Sequence, residues 1–402
     1  MTHKYNFDTI LDRSALSTMK WNSEIARTGH QDLLSFGTAD MDFQSPPEVV
    51  KALIACAERG HFGYPWKGPQ YYEAVMGYLA RRFEWKVERA WIDTAAGVYA
   101  SMQPVLGALT QPGDEVIIQT PVHHIFRELV VAMGRVVVEN PLDTDGNTYS
   151  MDLEDLQSRI TERTKVLLLC SPHNPMGRIW RKTELEALYD VCLCHNIVVI
   201  SDEIYSGLLY PKQAFVPAAT ISRAASLSTV TLISASKSFN MTGLKHSLVV
   251  TENEAIRDAF RREQKCSNMY YGGSTFGQIA TEVTFRECDS WSDELIEYVQ
   301  KNAEFFRSGL AEIFPFCNTY QAEATYFLWV DFSAYGLRSE DVVKHLQDQA
   351  HIIVTGGHTL GLGGEGHVRW NLGCPRSILA EALDRLRKAG LPEIAIRKRG
   401  KG

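Results

Sequence analysis

From about residue 95 to 235 short apolar runs alternate with amphipathic stretches, and this rhythm limits the fold more than any other property of the chain. "EVIIQTP" precedes "HHIFRELVVAMG", "RVVVEN" precedes "DLEDLQSRI", "KVLLLCSP" precedes "KTELEALYDVCLCHN", and "IVVISDEIY" and "STVTLI" complete the series. Continuous β-prone runs without polar alternation are strands covered on both faces, and the intervening helices supply the crossovers that parallel pairing requires. The expected fold class is α/β, with a mainly parallel large-domain sheet and helices on both faces.

After residue 286 the rhythm changes. A long helical stretch, "SWSDELIEYVQKNAEFFRSGLAEIF", is followed by "YFLWVDF", "SEDVVKHLQDQA", "HIIVT", "HVRWNL" and a closing helix, "PRSILAEALDRLRKAG". This reads as a smaller α+β domain. A chain of 402 residues, 45% hydrophobic, is long enough for two cores. The expected division is a large domain over 46–286 and a small domain made of 1–45 with 287–402.

A net charge of -7 argues against a nucleic-acid partner, and the one basic run, "RKRGKG", stands at the tail. No stretch approaches the length of a membrane span, and the start lacks an apolar leader. The eight cysteines show no C-x-x-C and no framework spacing, so a cytoplasmic location with reduced thiols is expected. Cys192, Cys194 and His195 have the residue types of a metal site but fall in a helical pattern that packs on a core, and no metal is expected there. "GLGGEG" (361–366) matches G-x-G-x-x-G but runs into a strand rather than opening a helix, which excludes a nicotinamide fingerprint and leaves a flexible loop beside a site.

Four features stand at the ends of successive large-domain elements: "GVYASM" at 97, "SPHNPMG" at 171, "SDEIY" at 201 and "SASK" at 234. Each alone signals no more than a cap or turn. In open α/β sheets, however, ligands collect at the carboxyl ends of strands, and a lone amine there, Lys237, is a candidate nucleophile and base.

In this order and spacing the motifs resemble the fold type I pyridoxal 5'-phosphate enzymes, the aspartate aminotransferase superfamily, over nearly the whole chain. The resemblance implies that Lys237 condenses with the cofactor aldehyde and later serves as base at the substrate Cα. It implies that Asp202 pairs with the pyridine nitrogen, and that Tyr205 and Asn174 bond the ring's phenolic oxygen. The phosphate falls to the turn at Gly97 and Val98, to the hydroxyls of Ser234 and Ser236, and to Lys245, which stands where many aminotransferases carry an arginine. Arg369 in "HVRWNLGCP" matches the arginine that grips the substrate carboxylate. Tyr64 in "FGYPWKG" resembles a tyrosine reaching the neighbouring subunit's phosphate, which implies a homodimer.

The opening "NFDTILDRSALSTMKWN" followed by "ADMDF" is similar to the MalY/PatB-type carbon-sulfur β-lyases, which places Ala39 beside the substrate. That subgroup implies cleavage of cystathionine, cysteine or a related S-conjugate to pyruvate, ammonia and a thiol. Transamination between an amino acid and a 2-oxo acid uses the same residues and stays the alternative. A regulatory protein that keeps only the fold is a third reading, against which the retained Lys237, Asp202, Asn174, Tyr205 and Arg369 speak. Two positions depart from the subgroup: "PVHHIF" puts His123 where a stacking tyrosine is usual, and Gly37-Thr38 replace a Trp-Val pair. Both border the expected substrate and point to a bulkier S-conjugate. His123 is either a ring-sized stacking surface on the cofactor or, as the imidazolium, a proton donor to the departing thiolate.

Overall fold

The computed structural model describes residues 4–12 and 17–391; Arg13 of the opening motif and the basic tail "RKRGKG" lie outside them. Seven strands form the central sheet: β1 (Ile92–Ala95), β2 (Glu115–Thr120), β3 (Val136–Pro141), β4 (Thr164–Cys170), β5 (Val198–Asp202), β6 (Thr229–Ile233) and β7 (Ser247–Val250). Their spatial order is β1-β7-β6-β5-β4-β2-β3. All are parallel except β7, which runs antiparallel to both β6 and β1.

The apolar runs are buried on both sides for a visible reason. Val116 and Ile118 of β2, with Val166 and Leu168 of β4, pack on one face against Phe126, Leu129, Val105 and Leu106 of two helices. Ile117, Leu167, Leu169 and Val199 face the other way, onto Leu156, Leu185, Leu188 and Trp180. Alternate residues of one strand thus enter two separate cores, so no polar alternation survives in the sequence.

The sheet reaches a little beyond the 95–235 stretch in which the alternation is visible. β1 and β7 extend it to residues 92 and 250, and both are only four residues long. Such short runs carry too little pattern to stand out beside their polar neighbours.

A second sheet of four antiparallel strands contains β8 (Asn318–Thr319), β9 (Phe327–Asp331), β10 (Thr355–Gly356) and β11 (His367–Asn371), in the order β8-β9-β11-β10. "HIIVT" splits between β10 and a separate pair, Ile352–Ile353, that lies parallel to Leu34–Ser35 and ties the N-terminal segment to this unit. Helices Asp289–Ile313 and Arg376–Ala389 sit where the sequence places them. "GLGGEG" is a loop with Gly361, Gly363 and Gly366 at positive φ, and it enters β11.

The two motifs of the N-terminal segment meet in one buried knot. Lys20 Nζ lies 2.9 Å from Asp42 Oδ2, Trp21 Nε1 donates to Asp42 Oδ1 at 2.8 Å, and Lys20 also donates to the Asp40 carbonyl at 2.9 Å. Lys20 and Asp42 are both almost wholly removed from water. Removing one member of such a pair strands the other charge, so Asp42→Ala is expected to cost about 3–5 kcal/mol of stability by denaturant titration. A loss below about 1 kcal/mol would show the pair to be dispensable.

Candidate active site

The chain order of the sheet reverses between β2 and β4, because β3 lies on one side of β2 and β4 on the other. At such a switch point the loops leaving the strands diverge and open a crevice. The structure has a cleft of about 310 Å³ there, bordered by residues at the carboxyl ends of five parallel strands. Gly97 and Val98 come after β1, His123 after β2 and Asn174 after β4, while Asp202 and Tyr205 close β5, and Ser236 and Lys237 come after β6. Ala39 and Lys245 complete the set of ten expected residues that line it. His173 Nε2 meets the Pro121 carbonyl at 2.9 Å, joining the loops after β4 and β2.

Lys237 sits on the single helical turn Ala235–Ser238 and points inward. Its Nζ donates to the Ala39 carbonyl at 2.7 Å and lies 4.0 Å from Asp40 Oδ1. Burial pushes its pKa down to about 8, with Asp40 opposing and the cations Arg369 and Lys245 assisting. A neutral amine is therefore accessible near physiological pH, as a nucleophile or base requires. Burial likewise raises Asp202 to about 7, although the Ile204 amide donates to its Oδ1 at 3.1 Å and Lys237 favours the anion. A carboxyl so placed is ready for a cationic partner.

Arg369 does not line the cleft itself but reaches its edge from β11. Nη1 donates to Asn174 Oδ1 at 2.9 Å, Nη2 donates to the Gly37 carbonyl at 2.8 Å, and the guanidinium lies 4.2 Å from the Phe327 ring centroid. It is buried, and among the described residues it meets no carboxylate and its Nε has no partner. A buried guanidinium held only by neutral acceptors is suited to receive an anion. Tyr205, buried, stands edge-on to Tyr326 and Phe327.

One expectation is corrected, and the surroundings of two further expected residues are defined. Ser234 is no free donor: its hydroxyl gives its hydrogen to the His246 carbonyl at 2.7 Å and accepts from the Ser236 amide at 3.1 Å, so it caps the turn that carries Lys237. Tyr64 does not line the cleft of its own chain; it is 81% exposed and stacked on Tyr271. His123 lies at the cleft, but burial, then Arg369, His124 and Lys237, push its pKa well below the usual imidazole range. A neutral ring suits stacking and disfavours the imidazolium donor. Sequence reasoning missed Asp40, Thr242 and Cys170 as site neighbours. Asp40 alone had a visible signal, since it lies inside "ADMDF".

These residues fit pyridoxal 5'-phosphate. The helix Val98–Leu109 opens at the cleft behind Gly97, whose φ of 116° favours glycine, and its first amides have no intrahelical acceptor. With Ser236 and Lys245 they make a set of donors that a phosphate would fit, while the Asp202 carboxyl, without an ionic partner among the described residues, suits a pyridinium.

The buried titratable groups make stability depend on pH. Burial lowers His173 to about 4 and His246 to about 3, and depresses His123, so the unfolded chain takes up protons first and stability rises with pH up to about 6.5. Asp202 at about 7 and Glu203 at about 8 act oppositely, because the folded chain keeps protons that the unfolded chain has released. Above about 6.5 only the carboxyls titrate, and Lys237 begins to reverse the trend beyond about 8. The thermal midpoint of the cofactor-free protein is thus expected to peak near pH 6 and fall toward pH 8, with Glu203→Gln flattening the fall. A midpoint that climbs through that interval would contradict these assignments.

The model of the family "Aminotransferase class I and II" matches residues 31–386. Cystathionine beta-lyase PatB of Bacillus subtilis (strain 168) is 33% identical over 385 residues, covering 96% of this chain and 99% of its own. Among solved structures, cystalysin from Treponema denticola, which contains pyridoxal 5'-phosphate, superposes with a TM-score of 0.92 at 30% identity, covering 96% of this chain and 98% of its own. The PLP-bound C-S lyase from Staphylococcus hominis gives a TM-score of 0.90 at 26% identity, with 96% and 98% covered. With this match spanning both sheets and the cleft between them, the chain belongs to the class I and II aminotransferase family and has the fold type I architecture of pyridoxal-phosphate enzymes.

Proposed function

We propose that the protein is a pyridoxal-phosphate-dependent carbon-sulfur β-lyase acting on cystathionine, cysteine or a related cysteine S-conjugate. The observation that carries this reading is the buried Lys237 amine, set opposite a protonatable Asp202 and beside an anion-seeking Arg369. The cofactor, when bound, supplies an aldehyde for the amino group and a ring that accepts the electron pair left at Cα. Gly97, Val98, Ser236 and Lys245 would hold its phosphate, Asp202 would keep its ring nitrogen protonated, Asn174 and Tyr205 would bond its phenolic oxygen, and His123 would cover its face.

Arg369 clamps the substrate carboxylate and fixes which Cα bond faces Lys237. Lys237, its pKa brought down by burial to about 8 so that a neutral fraction exists near physiological pH, takes the Cα proton. The Cβ–S bond then breaks, sulfur leaves with the bonding pair and takes a proton, and water completes the release of pyruvate and ammonia. Returning the proton elsewhere instead of losing sulfur is transamination. Similarity to PatB and cystalysin favours elimination.

The working unit in this reading is a cytosolic homodimer. Phe62, Tyr64, Trp66 and Tyr270 form an exposed aromatic patch around the Tyr64–Tyr271 stack, of a kind that partner chains cover. Tyr64 then reaches the partner's cleft. Residues 46–286 make the cofactor domain and 1–45 with 287–402 the small one, a division supported by the pairing of Leu34–Ser35 with Ile352–Ile353.

The deciding experiment offers the holoenzyme cystathionine, cysteine and S-alkylcysteines without any 2-oxo acid. Pyruvate and thiol are expected in equal amounts, and Arg369→Ala should raise KM about 30-fold or more, the loss of a charge-assisted bidentate contact. Turnover only after a 2-oxo acid is added, with no thiol released, would establish transamination instead.

A further inference from the structure

Beyond Asp40 and Thr242 lies a second cavity, of about 210 Å³, that no step of the reaction above uses. Thr242 borders both it and the reaction cleft, and Ala39 of the cleft is followed directly by Asp40 of the cavity, so the two spaces adjoin behind Lys237. Leu11, Trp21, Met41 and Phe43 give the cavity apolar walls. Its charges do not cancel. Lys20 is spent on Asp42 at 2.9 Å, which leaves the Asp40 carboxylate with only the more distant Lys237 amine, at 4.0 Å, as a cationic neighbour among the described residues.

Asp40 is held in place by its backbone while its side chain is left available. Its carbonyl accepts from Lys20 Nζ at 2.9 Å and from Asn371 Nδ2 at 2.7 Å. Its carboxylate makes no hydrogen bond among the described residues, and its nearest cation is the Lys237 amine at 4.0 Å. Lys237 is a cation only while it carries its proton, so in the neutral form that can accept the Cα proton it gives Asp40 no counter-charge. An apolar slot with one fixed anion at its mouth selects an apolar chain ending in a cation, and it repels a carboxylate.

We propose that this cavity receives the sulfur substituent of the substrate, and that Asp40 selects substituents carrying an ammonium group over neutral or acidic ones. The inference rests on the lyase reading of the same cleft and names its substrate class. Asp40 is a specificity residue in this assignment, distinct from the groups that move the Cα proton.

Three cysteine conjugates of matched length test it on the holoenzyme: S-(2-aminoethyl)-, S-propyl- and S-carboxymethyl-L-cysteine. kcat/KM is expected to fall in that order by about five- to tenfold per step, as a partly exposed charge contact allows, with smaller steps at high salt. Asp40→Asn should bring the aminoethyl and propyl compounds within about twofold, while Asp40→Glu keeps their order. Leu11→Trp, which fills the slot, should lower kcat/KM for all three more than for cysteine. Calorimetric binding of L-lysine against its uncharged isostere 2-aminoheptanoate, neither of which has a thiolate to lose, should show the same Asp40-dependent preference. A wild-type protein without preference, or an Asp40→Asn variant that keeps it, would overturn the proposal. Equal loss on all three substrates in Asp40→Asn would do so as well, since Asp40 would then act only through Lys237. If no conjugate, cysteine included, yields pyruvate, the lyase reading fails, and the lysine calorimetry still decides the role of Asp40.

Discussion

Withdrawal of the Lys237 amine from water is the constraint around which the rest of the site is arranged. A buried ammonium needs an acceptor or must lose its proton. Here the Ala39 carbonyl accepts at 2.7 Å, and desolvation brings the pKa to about 8, so the amine stands between the two solutions. That acceptor belongs to a loop with no regular structure, which must therefore be fixed from outside. Asn371 of β11 bonds the Thr38 and Asp40 carbonyls, Tyr326 bonds the Ala39 carbonyl, and Asn240 bonds the Met41 amide and carbonyl. The Lys20–Asp42 pair closes the same loop from the N-terminal side. Elements from both sheets and from the first forty residues converge on one lysine.

Opposed charges within the cleft arise from the same desolvation. Asp202 and Arg369 are both buried without an ionic partner among the described residues, one held near neutrality by proton uptake and the other charged against neutral acceptors. Neither arrangement is favourable in isolation. Both become favourable when a cation meets Asp202 and an anion meets Arg369, which is how a site stores binding energy for one pair of ligands. Asn174 touches Arg369 and lines the cleft, so cofactor-side and substrate-side groups are mechanically joined.

What was legible in the sequence divides along physical lines. The long apolar strands and the two long helices of the second unit were legible because periodicity integrates over many residues, whereas β1 and β7, four residues each, were too short to register. Strand-end residues such as Lys237, Asp202 and Asn174 were readable because the topology delivers strand ends to one crevice. Ser234 was misread because a hydroxyl beside a lysine carries no mark of whether it caps a turn or faces a ligand. The pairing of Lys20 with Asp42 was beyond reach, since two charged residues 22 positions apart read as surface until tertiary structure buries them together. His123 stands out in the sequence as a departure, but its neutral state comes from burial first and then from Arg369, distant in sequence and near in space.

The central claim is that Lys237, and not the nearby Lys245, is the amine that joins the cofactor aldehyde. Borohydride reduction of the holoenzyme followed by peptide mapping tests it directly. The predicted result is a single pyridoxyl label on the peptide containing Lys237, formed without substrate and lost in Lys237→Ala. A label on Lys245, or a protein that binds the cofactor but takes up no label, would contradict it.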